Sequence, residues 1–177
     1  MTEQVIGRTG RPAAGWVAEL WLIDIEHVLD VPTAEDALVG DDGFPLSLDA
    51  QATKINFAFR TCSYQETSAD AADGTIFSLG IEAVVSGQDG DLLDWATANL
   101  RRRWLAVWRD SNNWGYAAGD AGNGLRLSLE RNVGGQNFCR LKLSGRSWHT
   151  AWRLADGDLD TLLPYTQIVY DSLTDTI

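Results

Sequence analysis

The sequence predicts a mainly β protein, an antiparallel β-sandwich or barrel-like meander that carries one short α-helix. Three observations lead there. Apolar residues alternate with polar ones in several separate runs, and the cleanest, residues 75–85, puts Phe77, Leu79, Ile81, Ala83 and Val85 on one face. Clusters of Gly, Asp and Asn punctuate those runs. Only Leu92, Trp95, Ala96 and Leu100 follow helical spacing.

Composition sets the bounds. The chain has 177 residues, 45% of them hydrophobic, enough for one domain with its own core. A domain of this length buries roughly 70% of the surface its unfolded chain exposes, so it needs no metal or disulfide staple. The net charge of −11 argues against phosphate-backbone binding, and nucleic-acid contact is not expected. Cys62 and Cys139 lie far apart in no paired motif and are expected to be two buried thiols, with a disulfide as the alternative. No signal-peptide pattern opens the chain, and no window approaches the roughly 18 apolar residues of a membrane span, so no membrane partner is expected.

The elements follow in order. Residues 1–15 are polar and rich in breakers, an N-terminal arm. Residues 19–29 read as a strand with Trp21, Ile23, Ile25, His27 and Leu29 on one face. Residues 31–52 form a loop, and residues 54–61 a strand burying Ile55, Phe57 and Phe59. Residues 65–74 read as an acidic loop before the strand at 75–85. Asp91 is placed as the helix N-cap, and Arg101, Arg102 and Arg103 at the helix C-terminus, where positive charge suits the dipole.

After the helix the period returns to two. Trp104, Ala106 and Trp108 share one face and Leu105 and Val107 the other, which predicts a strand covered on both sides. The turn residues Asp110, Ser111, Asn112 and Asn113 predict a hairpin with residues 114–118. Leu125, Leu127 and Leu129 mark the next strand; Cys139, Leu141 and Leu143 mark another, with Arg140 and Lys142 facing out. Gly145 is read as a turn into residues 147–154, where Trp148 and Trp152 would share a face. The resulting organisation is an arm at 1–15, a single β-rich domain over 16–164, and a C-terminal strand or arm at 165–177.

Chemistry is sparse. His27 and His149 are the two histidines, and neither sits near a serine or cysteine in a nucleophile motif. Asp156, Asp158 and Asp160 have the odd-position spacing of a calcium loop, but Thr161 stands where the glycine is needed and Gln167 where the bidentate glutamate is. No catalytic, cofactor-binding or metal-binding residue is therefore assigned, and no enzyme is expected. The tryptophans are the remaining signal. Trp104, Trp108, Trp114, Trp148 and Trp152 are candidates for a subunit interface, where tryptophan is enriched. Trp114, Tyr116, Trp148 and Trp152 would serve the alternative, a carbohydrate-binding β-module with exposed tryptophans.

Across residues 77–154 the signals come in a particular order. A strand is followed by a short helix, an aromatic-rich strand ending in Asp110-Ser111-Asn112-Asn113, and glycine-punctuated strands closing on Arg140-Leu141-Lys142-Leu143-Ser144-Gly145. This order resembles small structural proteins of tailed phages and prophages. The resemblance implies a non-enzymatic virion protein that self-assembles into a ring or tube in a tail, neck or head–tail joint. Its implied partners are copies of itself and other virion proteins, and its implied location is the virion, after synthesis in the bacterial host cytoplasm.

Overall fold

Alternating side chains build ten strands in the computed structural model, which describes residues 15–30, 46–86, 90–135, 137–154 and 166–169, the last by backbone alone. In chain order they are β1 Val17–Asp24, β2 Ala52–Ile55, β3 Cys62–Ala71, β4 Gly74–Ser86, helix α1 Gly90–Asn99, β5 Arg103–Asp110, β6 Gly115–Ala118, β7 Leu125–Asn132, β8 Phe138–Ser147, β9 Trp152–Arg153 and β10 Thr166–Val169. The sheet order is β10-β2-β1-β5-β7-β8-β4-β3, with β6 added to β5 and β9 to β6. The fold is thus mainly β and antiparallel with one short helix; β10, which lies parallel to β2, is the exception in direction. Pairings between successive strands (β1–β2, β3–β4, β5–β6, β7–β8) are joined by the distant pairings β1–β5, β5–β7 and β4–β8.

The sheet does not close into a barrel, but it curls. Tyr64 of β3 packs on Trp108 of β5 with ring centroids 4.4 Å apart, although β7, β8 and β4 separate those strands in the sheet. The curl encloses the main core: Leu20 and Leu22 of β1, Trp104 and Trp108 of β5, Leu125 of β7, Leu141 and Leu143 of β8, and Leu79 and Ile81 of β4. Helix α1 contributes Leu92 and Ala96 to that core. Trp21, Ile23, Leu105 and Val107 bury the opposite faces of β1 and β5 in a second core with Val28, Ala50 and Trp152. The expectation that β5 is covered on both sides holds, and both covers come from this chain. A bulge between Val17 and Glu19 shifts the parity of β1, so Val17 and Leu20 reach the same core.

The sheet forks beside β5. Trp104 pairs with Leu125 of β7, whereas Ala106 to Arg109 pair with β6. The chain leaves the fork at Gly119 with φ +97°, and a Cβ there would lie 2.6 Å from the Trp104 carbonyl oxygen. Only glycine fits that crossing.

Several expectations need correction. The first strand ends at Asp24, not residue 29, because its Oδ1 accepts the Glu26 N–H at 3.2 Å and starts a 3-10 turn, Ile25–His27. The second strand is only Ala52–Ile55; Thr61 N–H bonds the Ala58 carbonyl at 3.1 Å, Arg60 takes φ 64°, and Phe59 is left exposed. Residues 65–74 are mostly strand rather than loop. Their polar character reflects an edge strand with exposed outer residues, whose inner side pairs with β4 from Gly74 to Ala83. Gly145 makes no turn. It sits inside β8 opposite Leu79, and a Cβ there would lie 2.7 Å from Leu125 Cδ2, so it is small to let Leu125 pack.

The arginines also differ from expectation. Helix α1 ends at Asn99 with no basic residue in its last turn. Arg102 instead reaches 2.5 Å from the buried carboxylate of Asp24, and Arg103 opens β5. Cys62 and Cys139 are both buried, free thiols. Cys62 faces Ala83 and Cys139 faces Val85 on opposite edges of β4. Two strand spacings of about 4.8 Å exceed the Cα separation a disulfide spans. The calcium-like run at 156–160 and the arm at 1–14 lie outside the described residues, whereas residues 166–169 do form a strand.

Candidate functional site

The five tryptophans proposed for an interface have separate fates. Trp104 and Trp108 point into the main core, where Trp104 meets Trp95 of α1 at 5.5 Å, and Trp152 lies in the second core. Those three are occupied by this chain's own packing. Trp114 is half-buried beneath the Arg153 guanidinium, 3.6 Å from its ring centroid. Trp148 is 59% exposed. Trp148 and Trp152 do not share a strand face, because β8 ends at Ser147 and Trp152 begins β9. A sugar platform built from that pair is not formed.

Both histidines meet carboxylates, which sequence could not reveal. His27 Nδ1 lies 3.0 Å from Ser47 Oγ and 3.6 Å from Asp49 Oδ1. A hydrogen bond from Ser47 is the main reason that the Asp49 carboxyl sits below its ordinary range, with the His27 contact a smaller cause. A nucleophilic relay needs serine at one ring nitrogen and the orienting carboxylate at the other. Here both converge on Nδ1, a geometry that ties the residue 46–50 segment to the 3-10 turn.

His149 is held more firmly. Its Nε2 lies 3.1 Å from Asp120 Oδ2, its Nδ1 lies 2.8 Å from the Thr150 carbonyl, and its ring packs on Trp152 at a tilt of 36°, with centroids 3.8 Å apart. Asp120 is 1% exposed. Its Oδ1 accepts the N–H groups of Gly122 at 2.7 Å and Asn123 at 2.8 Å, closing the turn after β6. Both ring nitrogens of His149 thus meet oxygens of this chain, and the pair pins the residue 148–151 bend to that turn. Among the described residues no group of three or more His, Cys, Asp or Glu could hold a metal ion. Asp41, Asp42 and Asp89 fall outside those residues.

The chain does form an aromatic cavity, of about 310 Å³, lined by Trp16, Val17, Tyr64, Trp108, Asp110 and Tyr116. The curl of the sheet creates it by bringing the edge strand β3 over β5 and β6. The Trp108 ring lies 4.4 Å from that of Tyr64, tilted, and 5.7 Å from that of Tyr116, nearly parallel. The Tyr64 hydroxyl donates to Glu66 Oε2, which also accepts the Ala151 N–H at 2.9 Å. Burial, then that bond and the Glu66 charge, raise the Tyr64 hydroxyl far above the usual phenol range. Asp110 Oδ1 accepts the N–H groups of Asn112 at 2.8 Å and Trp114 at 2.9 Å, the turn expected from residues 110–113.

Of these residues the sequence singled out Tyr116 for a sugar platform, Trp108 as an interface candidate on a doubly covered strand, and Asp110 for a turn. Tyr64 was missed because its strand is polar, although Cys62, Tyr64 and Glu66 share a period-two face that is its one visible signal. Trp16 was missed because it abuts the N-terminal arm. No protein-family model, no curated protein and no solved structure matches the chain.

Proposed function

We propose that the protein is a non-enzymatic structural subunit that assembles with copies of itself into a ring or tube, as in the tail, neck or head–tail joint of a tailed-phage particle. The observation that carries this reading is the outer arm of the β3–β4 hairpin. Pairing of β4 with β8 stops at Phe77 opposite Ser147, whereas pairing of β3 with β4 runs on to Ala71 opposite Gly74. Beyond Phe77 the hairpin has no third strand among the described residues, and residues 67–75 are all exposed. An unaccompanied two-stranded ribbon is marginal in water. Such an arm gains most by laying its free edge on a neighbour, the strand-addition mode of recognition. Exposed Trp148 supplies an apolar anchor of the kind that dominates interfaces.

The test is assembly itself. Size-exclusion chromatography with light scattering, followed by negative-stain microscopy, should find rings or tubes. Replacing residues 69–76 by Asn-Gly, which shortens the arm without touching the core, should leave a folded monomer with an unchanged melting temperature. A wild-type monomer from micromolar to millimolar concentration would overturn the proposal, as would undiminished assembly of the shortened variant.

A further inference from the structure

The aromatic cavity has a chemistry of its own, apart from assembly. Its walls are aromatic rings and one carboxylate: half-buried Tyr64 and Tyr116, both packed on the buried Trp108, half-buried Trp16 just before β1, and Asp110 at the end of β5. Its volume of about 310 Å³ stands at the small end of ligand pockets, which run from about 300 to 1,000 Å³. That suits a small head group rather than a polymer.

The polar atoms narrow the ligand class. Asp110 already accepts N–H groups from Asn112 and Trp114 at Oδ1 and the Asn112 side-chain amide at Oδ2, 3.3 Å away. The Tyr64 hydroxyl is committed to Glu66. A sugar needs hydrogen-bond partners for each buried hydroxyl, and the Asp110 carboxylate and Tyr64 hydroxyl already hold partners of their own. An anion would meet Asp110, with Glu66 behind Tyr64 and a chain of net charge −11. A quaternary ammonium group asks for neither. It has no N–H to satisfy and is held by aromatic faces and a nearby negative charge. Trp16 already acts this way toward a cation, because the exposed Arg60 guanidinium lies 4.4 Å from its ring centroid. That arginine also places a positive charge beside the cavity wall, which would weaken a bound cation.

We propose that the cavity bounded by Trp16, Tyr64, Trp108, Asp110 and Tyr116 binds a small quaternary or fully methylated ammonium ion. Choline is the probe, titrated at constant ionic strength by calorimetry and tryptophan fluorescence. Its neutral isostere 3,3-dimethylbutan-1-ol and glucose are run beside it. Choline should saturate the signal, and the neutral isostere should bind at least about tenfold more weakly, since one good cation–π contact alone is worth roughly that factor.

Tyr116→Leu and Trp16→Leu should each weaken choline binding about 5- to 30-fold with little change in melting temperature. Asp110→Asn, which keeps an acceptor for the turn but removes the charge, should weaken choline and leave the isostere unaffected. Arg60→Gln should tighten choline binding. Equal binding of the isostere, binding of glucose in place of choline, or no saturation up to about 100 mM choline, well above a millimolar Kd, would each overturn the assignment. These readouts do not depend on whether rings form.

Discussion

Gly145→Ala is the sharpest probe of how the two halves of the sheet pack. The added Cβ would lie 2.7 Å from Leu125 Cδ2, whereas ordinary contact begins at 3.4 Å, so the two groups must move apart by the difference. Leu125 cannot swing outward, since it is 1% exposed inside the main core. Overpacking of this kind costs about 1–3 kcal/mol. Loss of glycine freedom in the unfolded chain returns about 0.4–1 kcal/mol, so the net destabilisation should lie between about 0 and 2.6 kcal/mol. Leu125→Ala alone should cost about 2–5 kcal/mol by leaving a cavity. In the double variant the methyl group introduced by Gly145→Ala enters the space that Leu125 leaves. The pair should therefore fall short of additivity by about 1–3 kcal/mol. Urea titration of tryptophan fluorescence reads this from the midpoint at constant slope. Additivity within about 0.5 kcal/mol, or a stabilised Gly145→Ala, would refute the packing account.

Three further outcomes are expected. His149→Ala strips Asp120 of its imidazole partner and uncovers a face of Trp152, so urea denaturation should register a loss of roughly 1–3 kcal/mol; a neutral result would mean that the two backbone N–H groups suffice for Asp120. Burial pushes the Cys62 thiol up to about 12 from 9.0, and Tyr64 is raised as well. The folded chain then keeps protons that the unfolded chain releases, so stability should be full below about pH 9 and fall as pH rises toward 12. Cys62 contributes at most about 1.4 kcal/mol per pH unit to that fall; denaturation midpoints at stepped pH would follow it, and Cys62→Ala should flatten the slope. Trp148→Ala should leave the melting temperature within the effect of about 0.5 kcal/mol usual for surface changes, while light scattering should find assembly weakened by about fivefold or more.

Much of this architecture was legible in the residues. Alternation located β4, β5, β7 and the first half of β8. The run Trp104 to Trp108, apolar at both parities, announced a strand with two cores, and Asp110 with Asn113 announced its turn. Parity assigns a residue to a face because successive side chains point to opposite sides of the pleat. It does not say what that face meets. Gly145 therefore looked like a turn residue when it is space reserved for Leu125 at the start of the neighbouring β7. Arg102 likewise looked like a dipole partner until Asp24, 78 positions away, came within 2.5 Å.

The aromatic site lay further still from the sequence. Tyr64 sits on a polar edge strand paired with β4 on one side, so nothing in its own composition declares it. Only the curl of the sheet sets it against Trp108, and only the fork at β5 brings Tyr116 beside that ring. The Asp120–His149 pair depends in the same way on β6 and the end of β8 being carried together. Local patterning determined β4, β5, β7, much of β8, the helix and the turn at 110–113, because propensity and parity act over a few residues. Tertiary packing decided the cavity, the buried carboxylate pairs and the free hairpin arm, because each depends on which distant strands become neighbours.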